Sequence, residues 1–252
     1  MSTENNKIKI MRVAGRKLAE IMQELEEEIR VGLNTLELDK LAEKLVFSSG
    51  GTPAFKNFGQ ENPYPATICA SINSEIVHGI PRQDKIIKNG DLLKIDVGMK
   101  YKGFYADMAR SFIIGQASPE AKKLMEVTQQ SFWEGIENLK AGRMLSDYSR
   151  VVQKYVEDNG FSVVRNLVGH GIGKALHEDP QIPNYFNKKY PDLKLKEGMT
   201  LAFEPMVNAG KFGTVLDTND GWTFRTKDGS LSAHYENTVL ITKDGTEVLT
   251  KI

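Results

Sequence analysis

Apolar residues recur at helical spacing near the start of the chain. Ile10, Ala14, Leu18, Ile21, Leu25 and Ile29 fall on one face, and Gly32 marks the end of the run. Thr35 is then placed as the N-cap of a second helix carrying Leu38, Leu41, Ala42 and Leu45, which Gly50-Gly51 closes. Residues 52–65, with three prolines and the aromatics Phe55, Phe58 and Tyr64, read as a loop long enough to carry function. Strict alternation predicts a strand over 67–73, with Cys69 on the face opposite Ile68, Ala70 and Ile72. Two further runs, 92–99 and 104–114, alternate on either side of a short turn ending at Gly103 and form a hairpin. With Tyr101 and Lys102 as its loop, counting outward sets Asp96 directly opposite Asp107 on one face. Opposed side chains have Cβ atoms about 4.5–5.5 Å apart, where two like charges destabilise a sheet. A cation, a shared proton or full exposure must offset that repulsion. The apolar neighbours Ile95, Val97, Phe104 and Phe112 place the hairpin in a core and favour the cation.

The second half of the chain repeats the order of the first. Ser118-Pro119 caps a long helix carrying Met125, Phe132, Ile136 and Leu139, closed by Gly142 as Gly32 closes the first. A shorter helix starts at Ser146, carries Tyr148, Val151, Val152 and Tyr155, and ends at Asn159-Gly160. Gly169-His170-Gly171-Ile172 echoes His78-Gly79-Ile80, and the run from Gly198 to Glu204 matches the run from Gly90 to Asp96. Glu204 thus stands where the first half has Asp96. The last strand, from Ala233 through Glu236, supplies a carboxylate where the first half has Asp107. A duplication of this kind predicts two halves, about 7–115 and 116–252, related by an approximate twofold axis within a single domain spanning 1–252. Corresponding residues then meet at the seam. Asp96, Asp107, Glu204 and Glu236 converge, flanked by His170 and His78. Four close carboxylates cannot all ionise in a dry site without cations. Two divalent metals about 3.5–4 Å apart, bridged by carboxylates and a water, resolve the charge problem.

Other readings of these residues are weaker. His170 and His177 are seven apart, too far for the four-residue helical spacing of a zinc motif. The glycines around His170 do not meet the dinucleotide pattern, and no Gly-Lys-Ser/Thr follows. A buried histidine such as His78 is more often a hydrogen-bonded core residue than a catalytic one.

Composition narrows the class further. The 33 basic and 33 acidic residues cancel, so no global field attracts nucleic acid or an anionic membrane. The lone cysteine, Cys69, cannot form an internal disulfide and fits a reducing compartment. No stretch approaches the roughly 20 apolar residues of a membrane span, and the first residues resemble no secretory signal. A cytoplasmic protein is expected.

The runs Ile95-Asp96-Val-Gly, Asp107, Gly169-His170-Gly-Ile-Gly, His177-Glu-Asp-Pro180, Phe203-Glu204-Pro-Met and Tyr235-Glu236-Asn-Thr resemble the type I methionine aminopeptidases of the pita-bread metallopeptidase group. The resemblance runs from about Ile8 to the C-terminus. It implies an α+β pita-bread fold, a curved antiparallel sheet backed by two helix pairs. It also implies that Asp107 and Glu236 bridge two divalent ions (Co, Mn, Fe or Zn), that Asp96 holds one, and that His170 and Glu204 hold the other. Glu204 then exchanges the proton of the attacking water, His177 donates to the developing oxyanion, and His78 contacts the substrate backbone nitrogen on the leaving side. Phe58, Tyr64, Cys69 and Trp222 match positions of the methionine pocket, with Phe55 a weaker match. Two departures bear on that pocket: Leu176 stands where related enzymes often carry phenylalanine, and Gly59–Asn62 lengthens the loop between Phe58 and Tyr64.

The implied substrates are the N-termini of nascent polypeptides whose second residue is small. Transient contact with the ribosome would accompany that role, although no stretch marks a ribosome-binding surface, and a monomer is expected. Two rival functions share the fold. An Xaa-Pro peptidase uses the same ligands but generally carries a separate N-terminal domain, for which 252 residues leave no room. A non-catalytic binding module would be expected to have lost a ligand, and all five stand here.

Overall fold

Four helices and one large sheet carry the architecture of the computed structural model, which describes residues 3–189 and 191–252, with side chains from residue 6 onward. Helix α1 spans Thr3–Glu28 and buries Met11, Ala14, Leu18, Ile21, Met22 and Leu25 along one stripe. It stops short of Gly32. Three glutamates, Glu26 to Glu28, crowd the negative end of the helix dipole with no basic residue in the last turn, which disfavours continuation. Helix α2 spans Thr35–Ser48, and its N-cap is Asn34 rather than Thr35. The Asn34 side chain accepts from Glu37 N, while the Thr35 hydroxyl accepts from Arg82 N, 3.0 Å away, and is committed to that loop.

In the second half α3 spans Pro119–Glu137, capped by Ser118 as its sequence predicts. Helix α4 spans Leu145–Asp158 and begins one residue before Ser146, with Met144 at the N-cap. Ser146 is occupied elsewhere: its hydroxyl donates to Asp192 at 2.7 Å.

The central sheet has nine strands, and every pairing in it is antiparallel. Its path runs Thr52–Pro53, Leu92–Tyr101, Phe104–Ile113, Glu236–Ile241, Thr200–Phe203, Gly169–Gly171, Glu178–Ile182. Ile68–Ile72 also pairs with Leu92–Tyr101, and Thr246–Val248 with Glu236–Ile241. Alternation assigns the two faces. Leu93, Ile95, Val97, Met99, Ala106 and Met108 pack with α1 and α2 in one core. Leu201, Phe203, Val239 and Ile241 pack with α3 and α4 in a second. The positions between them (Cys69, Asp96, Asp107, Ala202, Glu204, Glu236, Leu240) point to the opposite, concave face. The result is the pita-bread architecture, α+β, a curled sheet backed by two helix pairs.

The hairpin register differs from the sequence expectation by two residues. Tyr101 pairs with Phe104, and the two-residue loop is Lys102-Gly103. Both have positive φ, 46° and 88°, as a tight turn that matches sheet twist requires; a Tyr101-Lys102 loop would put a bulky aromatic in that conformation. Asp96 therefore faces Ala109, and Asp107 faces Gly98. A slip of two keeps both carboxylates on one face, so they are diagonal neighbours instead of a direct pair.

Candidate metal centre and pocket

The register builds a row of positions across the concave face. Asp96 pairs with Ala109 and Ala109 with Glu236, and Glu204 follows directly after the pair Phe203–Asn237. With strands about 4.8 Å apart, Asp96 and Glu236 flank Ala109, whose methyl leaves room between their carboxylates. Asp107 reaches in diagonally, and His170 enters from the next strand opposite Ala202. Segments within 92–113 and within 169–241 are both needed to complete this row.

Polar contacts from residues distant in sequence fix the main chain at these carboxylates. The Thr238 hydroxyl accepts from Asp107 N and donates to Asp107 O, both at 2.9 Å. Arg110 donates to Glu236 O at 2.6 Å and to Asn237 Oδ1 at 2.7 Å. Asn184 donates to Glu204 O at 3.0 Å and accepts from the Tyr148 hydroxyl of α4 at 2.9 Å.

The side chains, by contrast, lack partners. Asp96 Oδ1, Asp107 Oδ1 and Glu236 Oε1 are buried without a hydrogen bond. Burial raises the pKa of all four carboxyls, and repulsion from one another adds to it for Asp96, Asp107 and Glu236. His170 shows the complementary arrangement. Its Nδ1 lies 2.9 Å from Gly171 O and donates to it, so Nε2 presents a lone pair toward Glu204 Oε1 and Glu236 Oε1 at 3.7 and 4.0 Å. Burial lowers its pKa to about 4, keeping the ring neutral. Ligand-type atoms of Asp107, His170 and Glu236 lie within 4.8 Å of one another. Unpartnered buried carboxylate oxygens facing a neutral imidazole fit a divalent-cation centre with oxygen-rich, one-histidine ligation.

Backbone clearance makes this placement of His170 possible. A Cβ on Gly169 would come within 2.4 Å of Ala202 O, and one on Gly171 within 2.2 Å of Asp179 O. Gly169→Ala is expected to push its strand off Thr200–Phe203, costing about 1–3 kcal/mol and displacing His170. Thermal melting alongside metal stoichiometry checks this; a variant that melts and loads metal like wild type would show that the strand can give way.

Above the carboxylates lies a pocket whose walls include Phe55, Phe58, Tyr64, Cys69, His78, Leu176, His177 and Trp222. Tyr64 and Trp222 meet edge to face at 5.2 Å, as do Phe58 and His177 at 5.0 Å. Cys69 is buried on the pocket side of its strand, as alternation predicts. Tyr64 is buried as well, whereas Phe58 is 39% exposed and forms the rim. The lengthened loop is anchored on the same wall: Asn62 donates to Asp220 O at 3.1 Å, and a Cβ on Gly59 would sit 3.5 Å from the Trp222 ring. His78 has φ of 57°, a conformation rare outside glycine. Its ring meets Trp222 and Phe224 edge to face, and burial lowers its pKa to about 4. His177 stands edge-on to His170 with centroids 4.5 Å apart, and no hydrogen bond to its ring occurs among the described residues. Burial by the pocket walls lowers its pKa, although one side of the ring stays open to solvent.

Comparison with known proteins agrees with this geometry. The model of metallopeptidase family M24 matches residues 9–243. The chain belongs to that family. A methionine aminopeptidase of Clostridium perfringens is 48% identical over 248 residues, covering 98% of this chain and 97% of that one. The crystal structure of a methionine aminopeptidase from Thermotoga maritima superposes with a TM-score of 0.93 at 41% identity, covering 98% and 97%. A prolidase from Pyrococcus furiosus shares the fold at 24% identity and a TM-score of 0.79, and only 64% of its chain is covered.

Within this M24 chain one residue of the centre escaped the sequence reading. His234 is 1% exposed and lies beside the carboxylates, 3.4 Å from Glu204 and 3.8 Å from Glu236. Its position two residues before Glu236 was the available signal, since such residues share a face of a strand.

Proposed function

We propose that this chain is a type I methionine aminopeptidase that removes the N-terminal methionine of nascent polypeptides when the next residue is small. The carrying observation is the set of orphaned buried carboxylate oxygens around His170, directly beneath an apolar, aromatic-rimmed pocket. Identity of 48% to a methionine aminopeptidase over nearly both chains, against 24% to a prolidase, favours methionine over Xaa-Pro substrates.

In this reading Asp96, Asp107, His170, Glu204 and Glu236 would hold two divalent ions, Co, Mn, Fe or Zn, and would supply all of their protein ligands. Such ions, when bound, lower the pKa of a shared water and polarise the scissile carbonyl. Glu204 takes and returns the water proton. His177, at the pocket edge with a free ring nitrogen, donates to the oxygen on which charge develops. His78, held by Trp222 and Phe224, contacts the backbone nitrogen on the leaving side. The free α-amino group of the substrate sits near Asp96, which restricts cleavage to the first residue. Tyr64, Cys69, Trp222, Phe58 and Phe55 enclose the methionine side chain, and Leu176 substitutes an aliphatic wall.

We take residues 1–252 as one catalytic domain with halves of about 7–115 and 116–252, because the centre draws ligands from both. A monomer in the cytoplasm, with transient ribosome contact, completes the reading. Among the described residues no helix is long and apolar enough to cross a membrane, and Cys69 is buried and unpaired.

Purified protein assayed on Met-Ala-Ser and Leu-Ala-Ser, with and without chelator, tests the proposal. Chelation is expected to abolish turnover and Mn or Co to restore it. Leucine is expected to lower kcat/KM about 10–200-fold, the range that a shape mismatch in an apolar pocket gives. Equal turnover of the two peptides, or full activity in metal-free protein, would overturn it.

A further inference from the structure

His234 approaches the centre from the side away from the substrate. It is not part of the pocket wall; instead it lines a separate cavity of about 560 Å³ together with residues of α1, α3 and the C-terminal segment. The carboxylates stand between the two spaces. The two imidazoles clasp the glutamate pair in parallel fashion: His170 Nε2 faces Oε1 of both Glu204 and Glu236, and His234 Nε2 faces Oε2 of both. Both nitrogens of His234 are buried without a protein partner, although its main chain is pinned. The Ser111 hydroxyl accepts from His234 N at 3.0 Å and donates to His234 O at 2.8 Å. A side chain held this firmly and left with unused polar atoms has a partner still to acquire.

We propose that His234 is a positioning residue of the metal centre, donating its Nε2–H to the Oε2 side of Glu204 and, more weakly, of Glu236. The separation of 3.4 Å is long for a hydrogen bond, as such contacts commonly are before a site is loaded. Holding Oε2 leaves Oε1 of each glutamate turned toward His170, the orientation in which both face the same cation. Nδ1 then carries the lone pair. Direct ligation is the rival that the test separates, since a ring nitrogen of His234 also lies within 4.8 Å of carboxylate oxygens of Asp96 and Glu236.

This rests on the pocket being a metal centre, and the test separates the two. Calorimetric titration of metal-free protein with Co²⁺ is expected to show affinity weakened about 10–100-fold in His234→Leu and largely recovered in His234→Gln, whose amide can donate in the same place. Activity should follow the same order, in kcat more than in KM. In wild type, nitrogen-15 spectra of the Zn²⁺-loaded protein should show His234 Nε2 carrying a proton, a readout that does not depend on either variant folding. A metal-bound Nε2 at His234, or unchanged Co²⁺ affinity in His234→Leu, would overturn the proposal alone. No cation uptake by wild type would overturn the metal centre and the proposal with it.

Discussion

Asp107→Ala is expected to release at least one of the two proposed cations and to lower kcat/KM by more than the roughly 10²–10³-fold that loss of a single oxyanion donor costs. The aspartate is a proposed ligand, is 3% exposed, and has one oxygen with no other partner, so no protein group can take its place. Its effect on stability should change sign with metal content. In metal-free protein the variant removes one of four mutually repelling carboxyls and should melt no lower than wild type. In loaded protein the variant forfeits binding energy that favours the folded state and should melt lower. A purely structural aspartate would destabilise both forms alike. Metal analysis and melting with and without Co²⁺, on one preparation, separate these outcomes.

His177→Ala should do nearly the reverse: metal content unchanged, melting close to wild type, and kcat lowered about 10²–10³-fold with KM moving much less. The stability expectation follows from its contacts. Two edge-to-face neighbours, Phe58 and His170, are worth about 0.5–1.5 kcal/mol each, and no hydrogen bond to the ring is lost among the described residues. A core histidine would show lowered stability with kcat preserved in the folded fraction. Loss of a metal in His177→Ala would make the residue a ligand and overturn the assignment of roles.

What the sequence disclosed followed from local rules. Helical spacing located all four helices, and alternation put Cys69, Asp96 and Asp107 on the concave face, because face is a property of parity and survives a slip of two. Exact pairing was not legible in the same way. It depended on which two residues could adopt positive φ in the turn, and Lys102 is not a residue that announces it. The starts of α2 and α4, capped by Asn34 and Met144, were each misplaced by one position because Thr35 and Ser146 were spoken for by Arg82 and Asp192, partners 46 to 47 residues away. Distance in the chain also hid the supports of the centre. Nothing in Arg110, Asn184 or Thr238 points to Glu236, Glu204 or Asp107 until the chain is folded.

The ends of the sheet path bear on how the protein behaves in a crowded solution. One end, Glu178–Ile182, contains Pro180, which has no N–H to offer an incoming strand, and its remaining residues are largely polar. At the other end, Thr52–Pro53 is two residues long and again contains a proline. Beside it, the outer hydrogen-bonding groups of Ile68–Ile72 are already used: Ala70 N donates to Gly79 O and Ile72 N to Glu75, both at 2.8 Å. Neither margin therefore offers the row of free donors and acceptors on which a second chain could be templated. A nine-stranded sheet would otherwise be vulnerable to fibril-like growth at its margins, and here short, proline-blocked margins protect it.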